Sequence, residues 1–378
     1  MTEYQRSMPS AVEAFRRKPS LWSYTHLDAP LLLLLLLLCG FGLFVQFSAS
    51  GQDMGAVVRQ GIRISVGFVA LIILAQFRPA FIGRWIPLVY VGMLVMLACV
   101  LLFGVGAKGA TRWLQLPGFR IQPSEFMKLA LPIMVAFYLA RKPLPPRLVD
   151  IAVALVLVAI PTLMIKQQPD LGTSLLIGAS GIFVLLFSGI QWRWIFMSLG
   201  AALAALPLLW MTMAEYQKQR VLTFLEPEKD PLGSGWNIIQ SKTAIGSGGV
   251  SGKGWLTGTQ SQLDFLPESH TDFIIAVIAE ELGLLGVLFL MLLYACIIGR
   301  GLYLAASTRH SFGRLASGSI ILTFFVYVVV NMGMVSGVLP VVGVPLPMVS
   351  YGGTSVVTLL AGFGVMMAMS ADKTMAAK

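Results

Sequence analysis

The chain has 378 residues, 57% of them hydrophobic and 12% charged, with a formal net charge of +10. Soluble domains carry about 25% charged residues, so this chain has too little charge to face water on all sides, and its mean hydropathy of +0.81 points to a lipid bilayer. The basic excess would suggest nucleic acid in a soluble protein; in a membrane protein it marks cytoplasmic loops, and no nucleic-acid partner is expected.

Residues 1–27 are polar and basic, with Arg16, Arg17 and Lys18 near their end, and read as a cytoplasmic segment. Leu31 to Leu38 follow as an unbroken run of leucines. A leader ending at a lipid-modified Cys39 is disfavoured, because Leu38 stands where cleavage needs a small residue. The apolar run continues through Val45, so 29–48 is expected to stay as a first span. About 20 apolar residues cross a ~30 Å hydrocarbon core. Nine further segments qualify: 57–77, 85–105, 121–140, 148–166, 171–189, 194–214, 272–299, 314–336 and 347–370. The expected fold is an all-α membrane protein of ten transmembrane helices in one domain, 28–370, with a short tail, 371–378.

With the N-terminus inside, 15 of the 27 Lys and Arg fall on the cytoplasmic side against five of the 17 Asp and Glu. Bases concentrated in short inner loops predict that both termini are cytoplasmic. The unusual segments then share the outer side: 106–120, the polar hinge Lys166 to Asp170, the loop 215–271 before the eighth span, and 337–353. Loops of such length tend to be functional or disordered. Phe224, Trp236, Trp255 and Phe265 argue against disorder in the longest one. Chemistry is expected on that outer side.

An ionisable group at membrane depth costs about 2.5–3.5 kcal/mol or more. Glu125 and Lys128 share a helix face at i, i+3 spacing; a structural ion pair and a functional pair both fit. Arg59, Arg112 and Arg120 lie just outside the second, third and fourth spans. Singly each reads as a snorkelling anchor; with Lys128 they would form a cationic cluster suited to a diphosphate. Asp272 opens the eighth span, where the helix dipole favours a carboxylate, as a plain N-cap or as a catalytic group. Glu280 and Glu281 lie eight and nine residues further on, roughly 12–13.5 Å along a helix axis. Helix–helix contact is the favoured role for them, ahead of a proton path.

Three features suggest chemistry that their details do not support. Gly246 to Gly254 looks like a phosphate loop, but the Walker spacing needs Gly at 247 and Ser or Thr at 254, where Ser247 and Gly254 stand. Three prolines between Val338 and Pro347 interrupt any helix; such backbone is tolerated at membrane depth where it is buried or lines a cavity. Cys39, Cys99 and Cys296 sit in apolar runs, and His26, His270 and His310 are scattered, so no protein metal cluster is expected.

The sequence resembles the SEDS family (shape, elongation, division and sporulation), and its elongation branch most closely. The matching strings are Ser48-Ala49-Ser50-Gly51, Gln122-Pro123-Ser124-Glu125-Phe126-Met127-Lys128, Gln168-Pro169-Asp170-Leu171-Gly172-Thr173-Ser174 and Asp230-Pro231-Leu232-Gly233. Gly252-Lys253-Gly254-Trp255, the stretch from Phe265 to Phe273, and Ser350-Tyr351-Gly352-Gly353 complete the set. They run in order over about 28–370. Gly343-Val344-Pro345-Leu346-Pro347 is similar to the elongation branch, where the division branch has a Thr-Leu-Pro variant.

The resemblance implies ten helices and a glycosyltransferase of the bacterial inner membrane that polymerises lipid II, with its site on the periplasmic side. It implies a class B penicillin-binding protein as partner, within the membrane machinery of elongation. It also implies that Asp272 is the catalytic carboxylate, that Glu125 and Lys128 are a sensitive pair, and that Arg59 and Arg120 belong to the substrate cavity. Arg112, Asp170, Arg220 and His270 are further substrate-binding candidates. Glycosyl transfer needs a base for the acceptor hydroxyl and positive charge at the leaving diphosphate. A divalent cation, Mg or Mn, is an expected aid; an organic cofactor is not. Two rivals stand beside this reading: a lipid II flippase, which broken helices and intramembrane charges also suit, and a scaffold that activates a partner synthase.

Overall fold

A computed structural model describes residues 26–107, 110–116, 119–213, 215–229, 234–263, 265 and 268–375. The basic segment before His26 and the last three residues of the tail lie outside them, as does the Asp230 to Gly233 string. Helices α1 (Ala29–Ala49), α2 (Met54–Ala75) and α3 (Pro79–Phe103) lead into strands β1 (Val105–Ala107), β2 (Ala110–Leu116) and β3 (Phe119–Ile121). Then come α4 (Pro123–Ala140), α5 (Leu148–Gln167), α6 (Leu171–Phe187), α7 (Trp192–Thr212), α8 (Glu215–Leu225), α9 (Ser234–Gly248) and α10 (Thr259–Gln262). The chain closes with α11 (Ile274–Glu281), α12 (Gly283–Ser307), α13 (Ser311–Val335) and α14 (Thr354–Met375).

Among the described residues, eight helices are long and apolar enough to cross a membrane: α1 to α5, α12, α13 and α14. The chain is a multi-pass membrane protein. Helices α6 and α7 occupy the sixth and seventh predicted spans, although α6 has only 17 residues.

Helix α1 shows how the bilayer changes the rules of patterning. It is apolar all round, so no hydrophobic stripe marks its inner face. Packing selects one nonetheless: Leu31, Leu35, Leu38, Gly42 and Val45 are buried at helical spacing, while Leu33, Leu36 and Leu37 face outward. Small residues bring helices together elsewhere. A Cβ added at Gly364 of α14 would fall 2.5 Å from the Leu71 carbonyl oxygen of α2, and one at Gly67 would meet Leu360. Asp28 caps α1 by accepting from the Leu31 amide and also holds Arg300 of α12 through two bonds of 3.0 and 2.6 Å. The start of α1 and the end of α12 therefore share one face.

Three expectations are corrected. The 106–120 loop contains a three-stranded antiparallel sheet, β1-β2-β3, with Thr111 opposite Gly106 and Arg120 opposite Gln115. The chain is thus not purely helical. The second span begins at Met54, with Asp53 capping it, so Arg59 lies inside α2 rather than before it. The eighth span begins at Gly283, eleven residues after Asp272. Gly283 has φ +66°, and the chain breaks there between α11 and α12. Glu280 and Glu281 consequently do not lie on one continuous rod with α12; they end a separate buried helix of eight residues.

The segment between α13 and α14 is non-helical and largely buried, as the prolines require. Tyr294 donates to the Pro347 carbonyl (2.7 Å), Ser350 Oγ accepts from the Leu346 amide (2.9 Å), and Gln60 donates to the Ser350 carbonyl (3.2 Å). Its backbone groups find protein partners in place of water.

Candidate active site

A cavity of about 500 Å³ opens where the sheet, the starts of α4, α6 and α14, the turn before α11 and the 341–345 backbone converge. Arg112, Glu125, Lys128, Asp170 and Asp272 line it together, joined by Glu268. Sequence positions more than 150 residues apart thus meet in one site.

Each charged side chain is set by local structure. Pro123 starts α4, placing Glu125 in its first turn and Lys128 one turn on. Lys128 Nζ lies 2.5 Å from Glu125 Oε1, and both side chains are almost buried. The ammonium also stands 4.9 Å from the centre of the Tyr327 ring. Asp170 caps α6 by accepting from the Thr173 amide (3.3 Å). Its other oxygen is 3.2 Å from Arg112 Nε of β2. That contact lacks hydrogen-bond alignment, so Arg112 Nε and Asp170 Oδ2 are buried without hydrogen-bond partners, as is Glu125 Oε2.

Asp272 precedes α11 by two residues, and Phe273, not Asp272, occupies the cap position. The turn is built by Glu268, at φ +58°, whose carbonyl accepts from the amides of Thr271 and Phe273. Asn331 of α13 donates to the Asp272 carbonyl (2.9 Å) and the Val344 carbonyl (2.7 Å), joining the turn to the broken segment. Gly343 lies against the carboxylate: a Cβ added there would stand 3.5 Å from Asp272 Oδ2, and its φ of +71° favours glycine.

Of the remaining candidates, Arg59, Arg120 and His270 are not among the residues that line the cavity. Arg59 pairs with Asp53 (3.2 Å) and reaches the rim through Tyr351, donating to its hydroxyl at 3.4 Å. His270 also meets Tyr351, through its carbonyl, which accepts from the Tyr351 amide (2.9 Å), and at 6.0 Å between rings. Arg120 is exposed on β3. Arg220 belongs to α8, and its side chain lies outside the described residues. Tyr351, Arg63 and Asn331 were not singled out from sequence. Arg63 stands 4.6 Å from the Tyr351 ring centre. Burial raises the Tyr351 phenol, but the Arg59 bond and the Arg63 charge outweigh it and hold it below its ordinary value.

The expected cationic cluster is also corrected. Among the described residues, the lining holds Arg112 and Lys128 against Glu125, Asp170, Glu268 and Asp272, a formal balance of −2. Each cation arrives with its own carboxylate, because a bare cation in this low-dielectric setting is costly.

Glu280 and Glu281 serve contact. Glu280 is fully buried and accepts from Lys253 Nζ (2.8 Å), the Gln260 amide (2.9 Å), Thr259 Oγ1 (3.1 Å) and the Ser261 amide (3.2 Å). Ser48 of α1 donates to Glu281 at 2.6 Å. The glycine run that resembles a phosphate loop has a packing role: a Cβ at Gly252 would fall 2.1 Å from the Glu281 carbonyl oxygen.

The family model for cell-cycle proteins of the FtsW, RodA and SpoVE type matches residues 29–375. A peptidoglycan glycosyltransferase MrdB of Escherichia coli K12 is 51% identical over 362 residues, covering 96% of this chain and 98% of the relative. A probable peptidoglycan glycosyltransferase FtsW of Trichlorobacter lovleyi is 37% identical, covering 95% and 97%. Among solved structures, a chain of a peptidoglycan synthase complex that coordinates polymerisation and crosslinking superposes with TM-score 0.82 at 30% identity, covering 92% and 98%. The rod shape determining protein RodA of Thermus thermophilus does so with TM-score 0.69 at 27% identity, covering 91% and 97%. The ordered motifs, the helical architecture and these likenesses converge, and the chain belongs to the FtsW/RodA/SpoVE family, the SEDS family its motifs resemble.

Proposed function

We propose that this chain is a peptidoglycan glycosyltransferase that polymerises lipid II for cell elongation and rod shape. The single observation that carries the reading is Asp272 in a cavity shared with two arginine- and lysine-bearing ion pairs. The 51% identity to a peptidoglycan glycosyltransferase over nearly the whole chain supports the same activity. In this reading the bundle has ten spans in the bacterial inner membrane, both termini are cytoplasmic, and the cavity faces the periplasm.

Asp272 takes the proton from the 4-hydroxyl of an acceptor sugar. That oxygen forms the new bond to the anomeric carbon of the lipid-linked donor as the bond to the diphosphate breaks, inverting α to β. Positive charge at the leaving oxygen comes from Arg112 and Lys128, whose carboxylates keep them in place before substrate arrives. Arg59 acts from the rim through Tyr351. The balance of −2, and Glu125 Oε2 and Asp170 Oδ2 left without hydrogen bonds, fit a divalent cation bound along with the diphosphate. Among the described residues no three His, Cys, Asp or Glu side chains form a metal cluster, so such an ion shares its ligands with substrate. It would supply charge neutralisation at the phosphates. A class B penicillin-binding protein is the proposed partner, in line with the synthase complex that the fold matches.

The test is gel analysis of glycan made from labelled lipid II by the purified protein with its partner. Wild type is expected to make long strands, and Asp272→Asn to lose roughly 10²–10⁴-fold in rate. Polymerisation by Asp272→Asn at the wild-type rate would remove the base from this carboxylate. Transbilayer movement of lipid II by the wild type without any strand growth would favour the flippase.

A further inference from the structure

At the end of the bundle opposite Asp272 lies a second, larger cavity, of about 820 Å³. It sits between the start of α3, the end of α4 and the start of α13. Helix α4 connects the two sites: Lys128 at one and Arg141 at the other are thirteen residues apart, about 20 Å along the axis. The glycosyl-transfer reading gives this cavity no role.

Its lining combines positive charge with aromatic surface. Phe137 and Phe312 pack edge to face at 5.9 Å, and Gly83 lets α3 close onto both, since a Cβ there would meet the Phe137 ring at 3.1 Å and Phe312 at 3.6 Å. Arg141 stacks 3.9 Å above the Phe137 ring centre. Arg84 and Arg141 line the cavity, both are exposed, and neither has an ion pair among the described residues. Among the described residues, no carboxylate lines the cavity. The contrast with the Asp272 cavity is direct: there every cation has its acid.

The outer surface beside the cavity is that of a membrane interface. Phe77, Phe81 and Trp85 form an exposed aromatic ladder on the start of α3, at 4.9 and 6.2 Å between successive rings. Aromatic side chains of this kind settle at headgroup level. Leu88 continues the exposed face toward the hydrocarbon core. A ligand here would place an anionic head between two arginines and an apolar tail along α3.

We propose that this cavity binds the headgroup of an anionic phospholipid, with the phosphate between Arg84 and Arg141 and the acyl chains on Phe81, Trp85 and Leu88. Basic pockets between transmembrane helices recognise such headgroups through charge, and planar guanidinium groups suit phosphate oxygens. Phosphatidylcholine offers the same phosphate, but its quaternary ammonium is repelled by the two arginines, so a headgroup of net negative charge is favoured.

The test is native mass spectrometry of the full chain in neutral detergent, incubated with phosphatidylglycerol or with phosphatidylcholine of the same acyl chains. The wild type is expected to retain phosphatidylglycerol preferentially. The Arg84→Gln/Arg141→Gln double variant is expected to lose about 10- to 30-fold of that preference, the share due to two arginines near a surface. Arg84→Lys/Arg141→Lys should keep most of it, and Arg193→Gln, at an exposed arginine on α7, all of it. An unchanged thermal midpoint in the double variant separates lost binding from misfolding; if the midpoint falls, the lysine variant decides alone. Equal retention of both lipids by the wild type, an unchanged preference in the double variant, or full displacement of phosphatidylglycerol by inorganic phosphate would overturn the proposal.

Discussion

Asn331 holds Asp272 by its backbone: one side-chain amide donates to the Asp272 carbonyl at 2.9 Å and to the Val344 carbonyl at 2.7 Å. The backbone that carries the carboxylate is thereby fixed relative to α13 and to the broken segment that forms the adjoining wall of the cavity. Asn331→Leu should leave two carbonyls unsatisfied, at about 1–3 kcal/mol each. The expected outcome is a lower thermal midpoint together with a fall in glycan synthesis. Asn331→Asp, which replaces the donor with an acceptor, should be at least as damaging to synthesis. Wild-type synthesis by both variants would show that the carboxylate needs no such support.

Gly343→Ala tests the space beside the same carboxylate. The left-handed backbone at φ +71° makes a side chain cost roughly 1–2 kcal/mol. The new methyl would also contact Asp272 Oδ2. Polymerisation should drop more than the thermal midpoint implies, which parallel rate and melting measurements would reveal.

The Glu125–Lys128 pair separates a structural from a functional role. Breaking it from one side leaves a buried charge, at about 3–5 kcal/mol, so Glu125→Gln and Lys128→Met should each destabilise. The double variant Glu125→Gln/Lys128→Met should recover much of the stability, because both charges are gone. If Lys128 also holds the diphosphate, glycan synthesis stays low in the double variant. Restored synthesis would reduce the pair to a structural pin.

Glu280 straps the outer loop to α11. Burial raises its carboxyl, but the Gln260 amide, Lys253, the Ser261 amide and Thr259 outweigh it and hold it below the ordinary glutamate value. A depressed carboxylate contributes stability that is full above its unfolded value and is lost as pH falls through its folded one. The strap should therefore hold at a pH where an ordinary glutamate is half protonated and loosen only in more acid solution. Amide hydrogen exchange at Gln260 and Ser261, corrected for intrinsic rates, should accelerate there. Glu280→Gln should show the fast exchange already at neutral pH.

The carboxylate excess of the cavity predicts that a chelator stops polymerisation and that Mg or Mn restores it. Undiminished synthesis in excess chelator would count against a cation at the diphosphate.

Much of the bundle is legible in the sequence, because a 20-residue apolar run has few alternatives to a membrane helix. Helices α1, α4, α5 and α6 begin and end close to their expected bounds. What escaped was whatever depends on contact. The strands β1 to β3 are three to seven residues long, too short for a period-2 pattern to register. The break at Gly283 is masked because Ile274 to Ala279 reads as a continuation of the apolar run after it. Spacing revealed the Glu125–Lys128 pair, since its partners share one helix. It could not reveal that Arg112 belongs with Asp170, 58 positions away, and so the cavity looked more positive than it is. Asn331 had a signal, a lone amide deep in an apolar 25-residue helix, where a polar side chain is expensive unless it has partners.

The break at Gly283 changes how force reaches the reaction. Helix α11 is a stiff strut of about 12 Å, with Asp272 just beyond one tip and the Glu280 anchor of the outer loop at the other. A tug on that loop is transmitted along the strut to Asp272 without first bending a membrane-embedded helix. Whatever grips that loop therefore has its hand on a lever whose short arm is the carboxylate.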